Sequence, residues 1–262
     1  IDRGSKILIL SDRDVGEEAA AIPSLLAVSR VHHYLIQTGR RSEVSLIIES
    51  GEPREVHHFA ALLGYGANAI YPYLIYASIP KILAAEYDEL LMEEGEKQFI
   101  QAAAKGILKV MSKMGISTVR SYIGAQIFEA LGISLPVIDR YFPRTPSRLG
   151  GLTIEDIGKE VMLRHQKAFC TPHFKKATGS DLQWRHGEEA HLFQPRTIHL
   201  LQHAVRTGER EIYKKYSKLL HEEVSQQTTI LVLLDFTCSR KAIPIEEVES
   251  ADAIMKRFKT GA

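Results

Sequence analysis

Residues 28–74, VSRVHHYLIQTGRRSEVSLIIESGEPREVHHFAALLGYGANAIYPYL, decide the fold of this chain. Val44–Ile48 is short, apolar and rich in β-branched residues, as is typical of a strand buried on both faces. Ser50 and Pro53 are residues that favour the start of a helix, and the glycines at its far end favour its stop. Ala69–Leu74 then predicts a second strand, although it contains a proline. Strand, helix and strand within this span indicate a βαβ unit and therefore a parallel sheet.

The carboxyl ends of the predicted strands carry the candidate site. A further strand is predicted at Lys6–Leu10, and polar residues follow it directly, as they follow Val44–Ile48. Ligands of open α/β sheets bind outside the carboxyl ends of the strands. The residues that would form a ligand crevice there are Asp12, Arg13, Glu49, Ser50, Gly51 and Glu52. The alternative is structural, with Ser50 as a helix cap and Asp12 and Arg13 paired to each other across a turn.

The rest of the chain divides into two parts of different character. Before residue 150, the pattern predicts a helix that ends at Gln37, a break at Gly95, strands at Ile116–Tyr122 and Val137–Phe142, and a helix at 125–131. A cluster of proline and glycine at 143–151 predicts a boundary, which gives domains 1–150 and 151–262. After it come helices that begin at Thr153 and Pro195, a pair of helices joined at Gly208, and one further apolar strand at Thr229–Phe236. The expected fold class is α/β, with parallel βαβ units in the N-terminal half and a mostly helical C-terminal half.

Composition excludes several classes of function. The chain of 262 residues is 45% apolar and 25% charged, with a formal net charge of +1 and a pI of about 7.9. Charges of both signs are interspersed, so no basic stripe indicates a nucleic-acid partner. No apolar run is long enough for a membrane span, and no leader opens the chain. We therefore expect a cytoplasmic protein without membrane or nucleic-acid partners. Because the first residues run straight into a strand, we also expect a piece of a larger protein.

Histidine and cysteine do not form a recognisable catalytic or metal motif. The pairs His32–His33 and His57–His58 point about 100° apart on a helix, so neither pair can chelate a metal from one face. We expect one member of each pair to pack inward and the other to face water. Cys170 and Cys238 are too few for a four-cysteine site and are expected to be reduced thiols. A hydrolase or lyase that uses His57 and Glu49 lacks a nucleophile, so we expect no catalytic, cofactor or metal residue.

Five long runs carry a resemblance to a known family. They are SLLAVSRVHHYLIQTG at 24–39, SLIIESGEPREVHHFAALLGYGANAIYPYL at 45–74, KGILKVMSKMGISTVRSYIGAQIFEALG at 105–132, HLFQPRTIHLLQHAVRTGEREIYKKYSKLL at 191–220 and IPIEEVESADAIMKRFKTGA at 243–262. Together, and in this order, they resemble the large subunit of glutamate synthase. The resemblance implies that 1–150 is the end of the central α/β domain and that 151–262 is a helical lead-in to the FMN-binding (β/α)8 domain, cut before the flavin site.

The resemblance also implies an activity that this chain should lack. The family makes two glutamates from glutamine and 2-oxoglutarate, using an amidotransferase cysteine, FMN and a 3Fe–4S cluster. No residue of those sites can be carried onto a position in this sequence. The resemblance therefore implies an inactive structural or spacer piece without cofactors, whose partners are the remaining domains of the large subunit. An isolated piece could also form a homodimer through apolar surface. The alternative is a free-standing α/β module that binds a small metabolite or an anion in the strand-end crevice.

Overall fold

A parallel three-stranded sheet organises the N-terminal part of the chain in the computed structural model, in the order β1-β2-β3. Its strands are β1 (Ile7–Ser11), β2 (Ser45–Glu49) and β3 (Ala69–Tyr71). In register, Ser11 pairs with Glu49 and Glu49 pairs with Tyr71, so all three strands end at one edge. The structure describes residues 1–86, 92–169, 182–186, 188–234 and 238–258.

Two helices cover one face of this sheet. Helix α1 (Ser24–Gln37) connects β1 to β2, and α2 (Val56–Gly64) connects β2 to β3, which confirms the predicted βαβ unit. The alternation of β2 places Leu46 and Ile48 toward the helices, where both are at most 1% exposed. The buried core between the helices and the sheet consists of Val28, Leu35, Val44, Leu46, Ile48, Leu62 and Ala67.

Several elements between residues 72 and 123 differ from the prediction. The last strand stops at Tyr71, and helix α3 (Tyr73–Glu86) begins after Pro72 and contains Pro80. Helix α4 (Met92–Met114) continues through Gly95 without a break. A Cβ on Gly95 would lie 2.7 Å from side-chain carbons of Ile79 and Leu83, so this glycine permits close packing of α3 on α4. The strand predicted at Ile116–Tyr122 is wrong, because Thr118 caps the short helix α5 (Val119–Tyr122).

A second, smaller βαβ unit occupies residues 130–152. Strand β4 (Ala130–Ile133) pairs in parallel with β5 (Ser147–Leu152), and α6 (Leu135–Tyr141) connects them. The helix predicted at 125–131 and the strand predicted at Val137–Phe142 are both wrong. Val137 and Ile138 pack from α6 with Leu26 and Tyr65 into a buried cluster, and a mixed segment this short does not distinguish helix from strand.

The C-terminal half is mostly helical in the described residues. Helix α7 (Ile154–Phe169) follows Thr153, whose hydroxyl and backbone N–H both donate to Asp156 Oδ2. Further elements are α8 (Pro195–Thr207), α9 (Arg210–Lys218), a π-helical segment (Leu219–Val224), α10 (Ser225–Thr228), 3-10 turns at Ile230–Leu233 and Ile245–Glu247, and α11 (Ala251–Arg257). The described part of Thr229–Phe236 is thus a 3-10 turn and not a strand. None of the helices in the described ranges is long and apolar enough to cross a membrane.

The described residues fall into two compact units, Ile1–Phe174 and Lys175–Ala262. The predicted boundary at 150 lies within strand β5, so the first unit continues through α7. The assignment of residues 1–150 and 151–262 to two different domains of the family stays a prediction. The α/β fold class, with parallel βαβ units followed by helices, is confirmed.

Candidate functional site

All six residues of the predicted crevice lie at the carboxyl edge of the three-stranded sheet. Asp12 and Arg13 directly follow β1, and the segment from Glu49 to Glu52 ends β2 and leads toward α2. Backbone pairing continues past the strand ends, since Asp12 N donates to Glu49 O over 3.1 Å and Ser50 N donates to Tyr71 O over 3.1 Å. The structure therefore brings the six predicted residues together at one edge of the sheet. Ligand binding by these residues stays a prediction.

Asp12 binds the turn after β2. Its Oδ2 accepts a hydrogen bond from Ser50 Oγ at 2.5 Å, and its two carboxylate oxygens accept from Gly51 N at 3.1 and 3.2 Å. Ser50 is 1% exposed, and its Oγ also accepts from Glu52 N at 3.1 Å. Ser50 therefore orders the turn and does not cap α2. That helix is instead capped by Glu55 in a reciprocal pair with His58.

The side chain of Glu49, the last residue of β2, binds the end of β1 and the loop that follows β1. Ser11 Oγ donates to its Oε2 at 2.6 Å, and Arg13 Nε donates to its Oε1 at 2.5 Å. These two donors hold the pKa of the Glu49 carboxyl below its usual range, with Ser11 the larger cause. Arg13 thus pairs with Glu49 across two strands, and not with Asp12 as the structural alternative proposed.

Glu52 caps a helix that is distant in sequence. Its Oε2 accepts from both the backbone N and the Oγ of Ser24, each at 2.7 Å, at the first residue of α1. Pro23 precedes that residue and offers no side-chain cap. The carboxylate therefore satisfies an otherwise orphan N–H and lies where the helix dipole favours negative charge.

Two tyrosines complete the cluster and were not predicted to belong to it. The Arg13 guanidinium carbon lies 4.6 Å from the ring centroid of Tyr73 and 5.7 Å from that of Tyr71. Burial, and next to it a hydrogen bond with Asp12, raises the pKa of Tyr73 to about 12. The aromatic content of the run YPYL was visible in the sequence, but only the turn from β3 into α3 places Tyr73 beside Asp12.

A cavity of about 450 Å³ opens beside this cluster. It lies between the end of β1, the loop at 14–22 and the start of α1. Apolar side chains supply much of its wall, among them Ile9, Val15 and Ala27, and the carboxylates of Asp12, Asp14 and Glu49 line it as well. Its size falls within the usual range for small-molecule sites. Its charged lining is acidic, which disfavours an anion.

The first histidine pair lies in the interior of the fold. His32 and His33 are both buried, at 7% and 3% exposure, so the expectation that one of them faces water is wrong. His33 Nδ1 lies 2.7 Å from Ser29 O, and its Nε2 lies 2.5 Å from Gln126 Nε2. Since the carbonyl can only accept and the amide nitrogen can only donate, the ring carries its proton on Nδ1.

The other histidines give no support to a hydrolytic pair. His57 is exposed, with its ring 5.9 Å from that of Phe128, whereas His58 Nδ1 accepts from the backbone N–H groups of Arg54 and Glu55. Glu49 is held by Ser11 and Arg13, so His57 and Glu49 contact different groups. Cys238 is a free, exposed thiol, and Cys170 lies outside the described residues.

Comparison with known proteins connects this arrangement to one family. Residues 1–134 match the family described as glutamate synthase central domain. The whole chain is 50% identical to the glutamate synthase (NADPH) large chain of Bacillus subtilis and covers 17% of that protein. It is 43% identical to a glutamate synthase (NADH) of Schizosaccharomyces pombe and covers 13% of it. Over 288 aligned residues it is 39% identical to ferredoxin-dependent glutamate synthase 2 of Synechocystis, of which it covers 18%. The chain thus spans less than a fifth of the length of these relatives.

Proposed function

This chain belongs to the glutamate synthase family, and we propose that it serves there as a rigid packing and spacing part and not as a centre of chemistry. The resemblance read from its five long runs is confirmed. The proposed parent activity is the conversion of glutamine and 2-oxoglutarate into two glutamates, with FMN and an iron–sulfur cluster held elsewhere in the longer chain.

The hydrogen bonds that the polar groups at the strand ends make within the chain support this proposal. Asp12, Glu49 and Glu52 accept hydrogen bonds from Ser50, Arg13 and Ser24 respectively. Each of these bonds joins segments at least 28 positions apart in sequence. These three carboxylates connect β1, β2 and α1. The polar groups at the edge of the sheet that usually binds ligands therefore have a structural role in holding the fold together.

The residues of the chain do not fit the family's cofactors. Iron–sulfur clusters are held by several cysteine thiolates, and this chain has two cysteines in all. The strand-end cavity presents Asp12, Asp14 and Glu49, which would repel the phosphate of a flavin nucleotide. No step of the parent reaction is therefore assigned to this chain.

The sheet face opposite α1 and α2 is evidence that the remaining domains of the large chain are the partners of this part. Ile7 and Ile9 of β1 are 56% and 60% exposed, and Tyr71 of β3 is 44% exposed. Parallel sheets are normally covered on both faces, but the described helices α1 and α2 cover one. In the isolated chain this apolar face would favour pairing with a second copy, which light scattering would detect as a dimer.

Assays of the isolated chain test its predicted inactivity. We expect no consumption of glutamine or 2-oxoglutarate and no flavin absorbance in the purified 262-residue protein. Turnover by this chain, or a yellow protein with stoichiometric FMN, would refute the proposal. A full-length large chain assayed in parallel serves as the positive control.

A surface variant in a full-length chain tests the spacing role. Ile7→Asp places a charge on the uncovered sheet face, away from the residues that line the cavity, and should leave the stability of the isolated chain nearly unchanged, because Ile7 is exposed there. In the full-length enzyme we expect overall glutamate synthesis to fall while the glutaminase and flavin-reduction half-reactions persist separately. Lys109→Asp on an exposed position of α4 is the matched control. Unchanged synthesis in Ile7→Asp would contradict a docking role for this face.

The cavity favours a second candidate, a small-metabolite site. Its mixture of apolar wall and carboxylates suits a ligand with an apolar body and a cationic amine, more than the anion considered from the sequence. Ala27→Leu would fill the cavity from α1 without touching the hydrogen bonds of the cluster. A thermal-shift screen with amines and amino acids should then show stabilisation of the parent chain and none of the variant. If no amine shifts the parent chain at millimolar concentration, this candidate fails.

A further inference from the structure

Two exposed histidines lie one turn apart on helix α8, outside the strand-end site and in the second unit. His199 and His203 are four residues apart within Pro195–Thr207, and their ring centroids are 5.8 Å apart. Residues at this spacing share one face of a helix, which is how two imidazoles of a helical zinc site reach the same ion. The histidine pairs of the first unit are adjacent in sequence and lack this geometry.

The helix turns both imidazoles away from its own buried side. Thr197 and Ala204 are 0% and 5% exposed and mark the buried side of α8. With about 100° of rotation per residue, His199 and His203 lie at about 200° and 240° from Thr197, nearly opposite to it. In the part of the chain that the structure describes, none of the ring nitrogens of His199 and His203 is hydrogen-bonded to another residue. Both imidazoles are therefore available to a ligand.

The helix that carries the pair is well fixed at both ends. Gln194 and Thr197 form a reciprocal cap at its start, and Gly208 ends it in the left-handed conformation with φ of 69°. Arg196, the nearest cation on the preceding turn, is paired with Glu223 at 3.3 Å. A fixed backbone lowers the entropic cost of bringing two ligands onto one ion.

We propose that His199 and His203 form a surface site for a divalent late transition-metal ion, with Cu²⁺ bound most tightly and Zn²⁺ or Ni²⁺ less tightly. Two neutral imidazoles supply the protein ligands, and water completes the coordination sphere. The order of metals follows from the general preference of nitrogen donors for copper over its neighbours. The bound ion links two successive turns of α8 and stabilises the folded state by mass action.

Metal titration of the full chain and its variants tests this site. Isothermal titration with Cu²⁺ at pH 7.5, together with copper EPR, should show one tight site whose spectrum reports two nitrogen ligands. His199→Gln and His203→Gln should each weaken this site about tenfold or more, because each removes one of two ligands. His203→Cys, which restores a metal ligand at the same position, should retain Zn²⁺ binding.

His221→Gln is the matched control, since it removes another exposed histidine of the same unit that has no histidine four residues away. It should leave the tight site unchanged. Circular dichroism shows whether each variant keeps its helices. Equal copper affinity in the parent chain and in folded His199→Gln and His203→Gln proteins would overturn the proposal. Equal loss of binding in His221→Gln would overturn it as well.

Discussion

Arg41 Nε donates a hydrogen bond to Nδ1 of His32 over 2.8 Å in the interior of the first unit. Because a guanidinium is always protonated, this geometry requires His32 to be neutral with its proton on Nε2. The same guanidinium also donates to Val44 O at 2.7 Å, Gly66 O at 2.9 Å and Asn68 Oδ1 at 2.8 Å. One side chain thus connects α1, the residue that precedes β2 and the turn before β3.

Replacing Arg41 should destabilise the first unit. Arg41→Ala leaves the buried His32 ring and two carbonyl groups without donors, which we expect to cost about 3 kcal/mol in the free energy of unfolding. Arg41→Lys should recover only part of this, because a single ammonium cannot reproduce the fork of donors. Urea denaturation measures both. Arg40→Ala is the control, since Arg40 binds Asp2 and Glu43 at the surface, and an effect as large as that of Arg41→Ala would contradict this account.

Stability should fall in mild acid because of His32. Burial first, and the charge of Arg41 second, lower the pKa of His32 to about 4. The unfolded chain, with a histidine pKa of about 6.5, then binds more protons than the folded chain between these values. The contribution of His32 is therefore fully present above about pH 6.5 and is lost as the pH falls toward 4, by about 3 kcal/mol in all.

The histidine variant that tests this dependence is His32→Gln, whose amide oxygen can still accept from Arg41. Its unfolding free energy should depend less steeply on pH between 6.5 and 4 than that of the parent chain. His57→Gln, at an exposed position, should keep the parent slope. Identical slopes for the parent chain and His32→Gln would show that His32 is not the group that titrates.

Two glycines with positive φ should differ in their tolerance of alanine. Gly66 has φ of +110°, and a Cβ there would lie 2.3 Å from Nδ1 of His32. Gly115 has φ of +73° and open space around it. Gly115→Ala should cost about 1 kcal/mol through backbone strain alone, whereas Gly66→Ala should cost about 3 kcal/mol or more, since it also displaces His32 from Arg41. Thermal unfolding compares them, and equal costs would argue against the contact with His32.

Asp12 should matter for stability more than its neighbour Asp14. Asp12→Ala removes the acceptor of Ser50 Oγ and Gly51 N, which we expect to cost about 2 kcal/mol. Asp14 is exposed and lines the same cavity, so Asp14→Ala should change stability little. Denaturant unfolding of both variants distinguishes a structural cluster from a ligand site. If Asp12→Ala left the free energy of unfolding unchanged, the result would favour the ligand-binding alternative.

The sequence predicted some elements well and others badly for a physical reason. The strand at Val44–Ile48, the helix that ends at Gln37 and the helix that begins at Pro195 were predicted, and the structure confirms all three. Val137–Phe142 and Ile116–Tyr122 are segments of at most seven residues that mix apolar and polar side chains, and over so short a length helical and strand periods cannot be told apart. Gly95 indicated a break by its own propensity, but the packing of Ile79 and Leu83 against it favours a continuous helix.

By itself the sequence determined the family, the parallel βαβ unit and the gathering of five polar residues and Gly51 at one sheet edge, because these follow from local pattern and from the geometry of parallel strands. Only the tertiary structure decided how those residues are used. It joined Glu52 to Ser24 and Asp12 to Ser50, and it placed Arg41 against the buried His32. Hydrogen bonds between distant segments depend on where the whole backbone places each donor and acceptor, and no local pattern of residues specifies that.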